Sequence, residues 1–281
     1  MDQLEGRGAV VIGGGSGIGR GIALALAAEG MRVLVADIDG DSAGAVRAEI
    51  TGRGGDAHAA QVDATDREAL AELAAATRDE LHRGHVLVNT VGVLTDASVT
   101  TSGDNVWAWY VDFHLMSAVR VVATFLPLLR AHDDGGHIVL TSSMAGLLTL
   151  PVEQTGGVNT GVYTVLKHAI VAYGDMLRHE MASDGIAVSV LCPGSVNTNL
   201  NRTSARHRPE RFGGPLPEPP AREGPPPMAF MEPEELGPIV VSGLRANSAY
   251  ILPDPAWAEA VRGRQQQLLD DFAFYAQMLH G

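Results

Sequence analysis

The sequence predicts an α/β fold, a doubly wound parallel sheet in a single domain over residues 1–281. Three observations predict it. Short apolar runs alternate with amphipathic segments as strand, helix, strand, helix, the order of parallel strands joined by right-handed crossovers. The strands read as near-continuous apolar runs, as strands covered by helices on both faces do. A glycine run, "GGGSGIG", separates the first strand from the first helix.

In order, "RGAVVIGG" is a short buried strand, and the helix after the glycines carries Ile22, Ala23, Leu26 and Ala27 on one face. "MRVLVADID" is the second strand, "SAGAVRAEITGRGG" a helix broken by glycines, and "DAHAAQVDATD" the third strand. "REALAELAAATRDELHR" is an amphipathic helix leading to the strand "HVLVNTVG". A long helix at about 105–131, the strand "GHIVLTSS", a helix at about 160–183 and the strand "IAVSVLCPG" follow. Residues 199–232 interrupt the pattern, because prolines and glycines in "RPERFGGPLPEPPAREGPPP" exclude regular helix and central strand. This stretch reads either as a surface loop or as a mobile substrate lid over the strand ends. A helix at about 233–246 and the strand "AYIL" complete the sheet. A helical extension at about 255–281 places Leu268, Phe272, Tyr275 and Leu279 at helical spacing, to pack on the domain or on a partner subunit.

With 46% hydrophobic and 19% charged residues the chain has the composition of a folded globular protein. Its net charge of −13 argues against a phosphate-backbone binder, so no nucleic acid is expected. No apolar run approaches the roughly 20 residues of a membrane span and the start lacks a basic signal region, which predicts a cytoplasmic protein with no membrane partner. The single Cys192 and ten histidines without ligand spacing predict no metal.

Chemistry gathers at a few points. Gly13, Gly17, Ile18 and Gly19 form a turn between strand and helix, where glycines permit close approach of a pyrophosphate to a helix N-terminus. This is the phosphate turn of a Rossmann-type sheet. Asp37 ends the second strand, 18 positions after Gly19, where a carboxylate accepts ribose hydroxyls and repels a 2′-phosphate. With Ile38 offering no cation, NAD is expected over NADP, although Arg20 is a cation in range to be considered. Tyr163 and Lys167, four apart on one helix, are neighbours, so the ammonium is expected to lower the phenol's pKa and make it a proton-transfer group.

From these motifs in order, with "VDATD", "VNTVG", "TSSMAG" and "PGSVNT", the chain resembles the short-chain dehydrogenase/reductase family over roughly residues 5–252. The resemblance implies that Tyr163 is the general acid/base, that Lys167 binds the nicotinamide ribose and tunes Tyr163, and that Ser143 orients the reacting oxygen. Ser142 is the alternative to Ser143. It also implies that Asp63 and Val62 meet the adenine, that Asn89 and Gly92 border the adenosine ribose, and that Pro193, Gly194, Val196 and Thr198 fix the nicotinamide. A homotetramer or homodimer built on the two long helices is implied as well.

The chain departs from the family pattern at four places. His114 stands where a catalytic Asn is usual, and is expected to hold a water relaying protons to Lys167. Thr90 replaces a second Asn, and Ile12 the Thr before the glycines. Ser143 and Tyr163 lie 20 apart, with extra residues in "PVEQTGGVNTG" that should border the substrate entrance. The expected activity is NAD-dependent interconversion of a small-molecule secondary alcohol and ketone. "MAGLLTLPV" with Leu200, Phe212, Met228, Phe230 and Met231 points to a bulky apolar substrate, while Arg202, Arg206, Arg208, Arg211 and Arg222 keep an anionic one open. The alternatives are an NADPH-dependent sugar or acyl-thioester reductase of the same fold and a non-catalytic nucleotide-sensing protein.

Overall fold

Seven parallel strands line up as β3-β2-β1-β4-β5-β6-β7 in the computed structural model, which describes residues 3–219 and 230–280. The first half runs β1 (Gly8–Ile12), α1 (Gly17–Ala28), β2 (Arg32–Asp37), α2 (Gly40–Gly52), β3 (Asp56–Gln61), α3 (Arg67–Leu81) and β4 (Val86–Asn89). The second runs α4 (Asp104–Tyr110), a π-helical segment (Val111–Met116), α5 (Ser117–Leu129), β5 (Gly136–Thr141), α6 (Gly161–Met181), β6 (Ile186–Leu191), α7 (Leu200–Arg206), α8 (Pro233–Arg245), β7 (Tyr250–Ile251) and α9 (Ala258–His280).

The apolar strands β1, β4 and β5 are buried along their whole length, as their unbroken apolar sequences require. On one face, Ile22 and Leu26 of α1 and Val240 and Leu244 of α8 pack on Val11, Val35 and Val88. On the other, Leu70 and Leu73 of α3, Val121 and Phe125 of α5, and Ile170 and Leu177 of α6 cover Leu34, Leu87 and Leu140. Truncating one of these leucines to alanine removes both transfer energy and packing, about 2–5 kcal/mol. Helix starts are fixed locally: Asp39 caps α2 through the Asp41 and Ser42 amides, and Asp66 caps α3 through those of Glu68 and Ala69.

Chain order reverses between β1 and β4, whose ends meet at Ile12 and Asn89. Ligands of open α/β sheets bind in the crevice this reversal opens at the carboxyl ends of the strands. At the opposite end of the sheet, His85, His132 and Asp134 cluster, but each already has a partner. The Gly8 amide donates to His85 Nδ1, His132 Nε2 lies 2.9 Å from the Gly84 carbonyl, and Arg83 pairs with Asp134 at 2.7 Å.

Three readings of the sequence need amendment. The stretch at 199–232 contains a regular helix, α7, because "LNRTSAR" has neither Pro nor Gly; the most proline-rich part, with Arg222 and Met228, lies outside the described residues. The run Asp104–Leu129 is long and apolar enough, by length and composition, to cross a membrane, which the count of apolar runs missed. In the fold its Trp109, Tyr110, Val121 and Phe125 are buried core residues. Finally, α9 meets the domain only at its base, through Val261 and Arg264: its large apolar side chains from Leu268 onward are exposed.

Candidate active site

The glycine turn is held from both sides. Gly13 and Gly14 donate to the Ala36 carbonyl at 2.8 and 3.0 Å, and Gly13 and Gly17 adopt φ of 79° and 49°. Gly19 lies so close to the Gly13 carbonyl that a Cβ there would collide with main chain. Ser16, the N-cap of α1, makes no side-chain cap, so the first amides of the helix keep their donor capacity for a phosphate. These features fit a dinucleotide's pyrophosphate. Thr90 Oγ1 lies 3.0 Å from both the Ile12 and Gly13 carbonyls and shares its proton between them. The residue that looked like a departure therefore ties β4 to the turn.

Asp37 stands at the carboxyl end of β2, accepting from the Gly15 amide at 2.9 Å and the Asp39 amide at 3.1 Å. Arg20 is engaged elsewhere: it pairs with Glu49 at 2.8 Å and with Glu234, and these carboxylates raise its pKa. Asp63 organises its own turn, accepting from the Thr65 amide and hydroxyl at 2.8 and 2.7 Å, while Val62 beside it is buried. Asn89 is buried at the end of β4, and its Oδ1 is 3.4 Å from the Val91 amide.

The catalytic candidates meet where β5 ends and α6 begins. Ser143 stands beside Tyr163, near enough to favour its ionised form, and its Oγ donates to the Pro193 carbonyl at 3.4 Å and accepts from the Ala145 amide at 3.1 Å. Ser142 is buried and donates to the Lys167 carbonyl at 2.7 Å, so it secures α6, and Ser143 is the hydroxyl beside Tyr163. Lys167 Nζ donates to the Thr141 carbonyl at 2.9 Å and sits 5.3 Å from the centroid of the Tyr163 ring.

The expectation that Lys167 lowers the Tyr163 pKa is not met in this state. Burial pushes the phenol up to about 12, opposed by the Ser143 hydroxyl beside it, and burial pulls Lys167 down to about 7. The ammonium lies over the ring face and bonds to a carbonyl instead of the phenol oxygen, so desolvation outweighs attraction. Cys192, also buried here, is pushed up to about 12 and acts as packing.

His114 enters this corner from the π-helical segment. Its Nε2 lies 2.8 Å from the Val93 carbonyl, and its buried Nδ1 has no partner. Burial, then the Lys167 charge, hold its pKa well below the usual imidazole value, so the ring is neutral. Its ring packs edge-on to Tyr163 at 5.4 Å between centroids. Gly92 makes the approach possible: a Cβ there would lie 2.9 Å from His114 Cε1 and 3.4 Å from Lys167 Nζ.

The loop after β6 closes the groove. The Met144 amide donates to the Pro193 carbonyl at 2.8 Å, and Val196 pairs with Met231. Thr198 faces Gly17 across the groove, 3.0 Å from where a Cβ would stand. A cavity of about 230 Å³ lies beside Pro193, Gly194 and Val196, with Phe230 and Met231 in its wall. The Trp257 indole N–H, buried without a partner, abuts Gly194.

The segment after α7 lies over the groove. The Leu94 amide donates to Ser204 Oγ at 2.9 Å, Phe212 packs with Trp109, Tyr110 and Phe113, and Arg211 reaches Thr65 at 2.8 Å and Asp112 at 3.3 Å. Arg206 pairs with Glu218, whereas Arg208 is buried, stacks 5.0 Å from the Trp109 ring and donates to the Phe212 carbonyl. The roles of Thr90, Thr65, Arg211 and Trp257 went unread in the sequence, where only Thr90 carried a signal.

Fold and site define a dinucleotide-dependent oxidoreductase. The family model described as short chain dehydrogenase matches residues 7–209. A C alpha-dehydrogenase of Sphingobium sp. (strain NBRC 103272 / SYK-6) is 28% identical, the match covering 97% of this chain and 88% of that protein. A 1-deoxy-11-beta-hydroxypentalenate dehydrogenase of Streptomyces exfoliatus is 33% identical over 70% of each chain. A short chain dehydrogenase/reductase of Burkholderia phymatum, solved in complex with NAD, superposes with a TM-score of 0.84 at 26% identity, covering 96% of this chain and 97% of that one. The chain belongs to the short-chain dehydrogenase family, whose members use a nicotinamide cofactor.

Proposed function

We propose that the protein interconverts a secondary alcohol and a ketone with NAD as cofactor, on a bulky and largely apolar small molecule. The observation that carries this reading is the corner that gathers Ser143, Tyr163 and Lys167, with the Lys167 Nζ 5.3 Å from the centroid of the Tyr163 ring. Bound nicotinamide supplies the hydride to the ketone or accepts it from the alcohol. Tyr163 gives its hydroxyl proton to the oxygen of the ketone being reduced, or takes the proton of the alcohol being oxidised. Ser143 donates to that oxygen and stabilises its developing charge. Lys167 would hold the cofactor's ribose hydroxyls, and, with burial lowering its pKa to about 7, it would exchange the proton that Tyr163 loses or gains. His114 keeps a bare, buried Nδ1 toward this corner, where it would hold the water that relays protons to Lys167.

The choice of NAD rests on Asp37, which would meet a 2′-phosphate with like charge, and on Arg20, already paired with two carboxylates. Gly13, Gly17, Ile18 and Gly19 would hold the pyrophosphate, Asp63 and Val62 the adenine, Asn89 and Gly92 the adenosine ribose, and Pro193, Gly194, Val196 and Thr198 the nicotinamide. The apolar substrate is supported by Val196, Phe230, Met231 and Pro253 in the wall of the cavity beside the loop after β6, with the segment after α7 as a substrate lid. The Streptomyces relative, named for a hydroxylated substrate, supports alcohol oxidation as the reaction type.

Tyr163→Phe tests the mechanism. It should lower turnover about a thousandfold or more while NAD binding by calorimetry stays within about threefold of the parent. A variant with normal turnover would remove Tyr163 from the chemistry, and loss of both properties would make it a structural residue.

A further inference from the structure

The last helix presents an unexplained surface. From Val261, the residues Gln265, Leu268, Phe272, Tyr275 and Leu279 recur at alternating spacings of four and three, which is the seam of a heptad repeat. Val261 at the base packs on the body near Leu147, Leu150 and Val171. Beyond it the same stripe leaves the body: Leu268, Phe272, Tyr275 and Leu279 are 56%, 74%, 61% and 81% exposed.

The helix cannot fold back to cover this stripe, because its base is fixed. Asp254 caps the turn Pro255–Trp257, and Arg264 donates to the Leu147 carbonyl at 2.5 Å and lies 2.7 Å from His168 Nε2. A membrane surface is a poor match, since the distal half carries Asp270 and Asp271 and no Lys or Arg.

We propose that α9 is an assembly helix, pairing along this seam with α9 of a second copy of the chain. Area supports a self-pairing. Taking about 200 Å² per large side chain, the exposed parts of Leu268, Leu269, Phe272, Tyr275 and Leu279 offer about 650 Å² per copy, and flanking Met278 raises this to about 800 Å². A stable interface uses about 800 Å² per partner.

Light scattering and sedimentation on the full chain test this. Phe272→Glu with Leu279→Glu should halve the molar mass while circular dichroism and NAD binding stay unchanged, both residues being exposed. An unchanged mass in the double glutamate variant would overturn the proposal. So would a wild-type chain that stays monomeric, or one whose α9 carries it onto anionic vesicles.

Discussion

The two ends of the cofactor groove treat polar groups in opposite ways. At the adenosine end, the carboxylates of Asp37 and Asp63 and the hydroxyl of Thr90 are bonded to neighbouring main chain, at partly exposed positions. At the catalytic end, Tyr163 and Lys167 are desolvated enough to move to about 12 and about 7, and His114 keeps a bare nitrogen. Binding is built from satisfied backbone geometry, and chemistry from groups whose charged forms burial has destabilised. The first kind of site should fail when shape changes, the second when charge or proton transfer changes.

Gly19→Ala breaks the binding end most severely. Its Cβ meets the Gly13 carbonyl, so NAD affinity should fall about a hundredfold or more in calorimetry, with the catalytic corner intact. Asp37→Ala sharpens the contrast more gently: the preference for NAD over NADP in kcat/KM should fall about ten- to a hundredfold, the value of a charged hydrogen bond and a lost repulsion. Unaltered discrimination would remove Asp37 from the ribose site. Thr90→Val removes the proton shared by two carbonyls and should cost about 1 kcal/mol in urea unfolding, with NAD affinity falling less than for Gly19→Ala.

A smaller, global effect comes from the far end of the sheet, where burial holds His85 at about 4 and His137 at about 3, below the usual 6.5. Between those values and 6.5 the unfolded chain binds protons that the folded chain does not. The stability these neutral rings permit is therefore complete above pH 6.5 and lost as pH falls toward 4. His137→Gln should flatten that slope in a series of urea midpoints; an unchanged slope would assign the acid sensitivity elsewhere.

What the sequence made legible was local. Strand order followed from apolar runs and their alternation, and the glycine turn, Tyr163 and Lys167 were readable because each lies within one turn or one helix. Contacts across the chain were not: Thr90 meets Ile12 from 78 positions away, and Arg211 meets Thr65 from 146. The π-helical segment that delivers His114 has no sequence mark, and α7 was hidden by the prolines that follow it. The pKa of Tyr163 was misread for a related reason. Spacing shows that an amine is near, but not that it lies over the ring or how far both groups are removed from water.

The central claim is that this corner exchanges hydride between NAD and a secondary alcohol. The most direct test is absorbance of the reduced nicotinamide while the protein meets a panel of bulky secondary alcohols, with NAD and NADP in parallel. The account predicts reduction of NAD by at least one apolar member, with kcat/KM at least about tenfold above that for NADP. Equal or faster reduction of NADP, or no turnover across the panel while NAD binds, would contradict it.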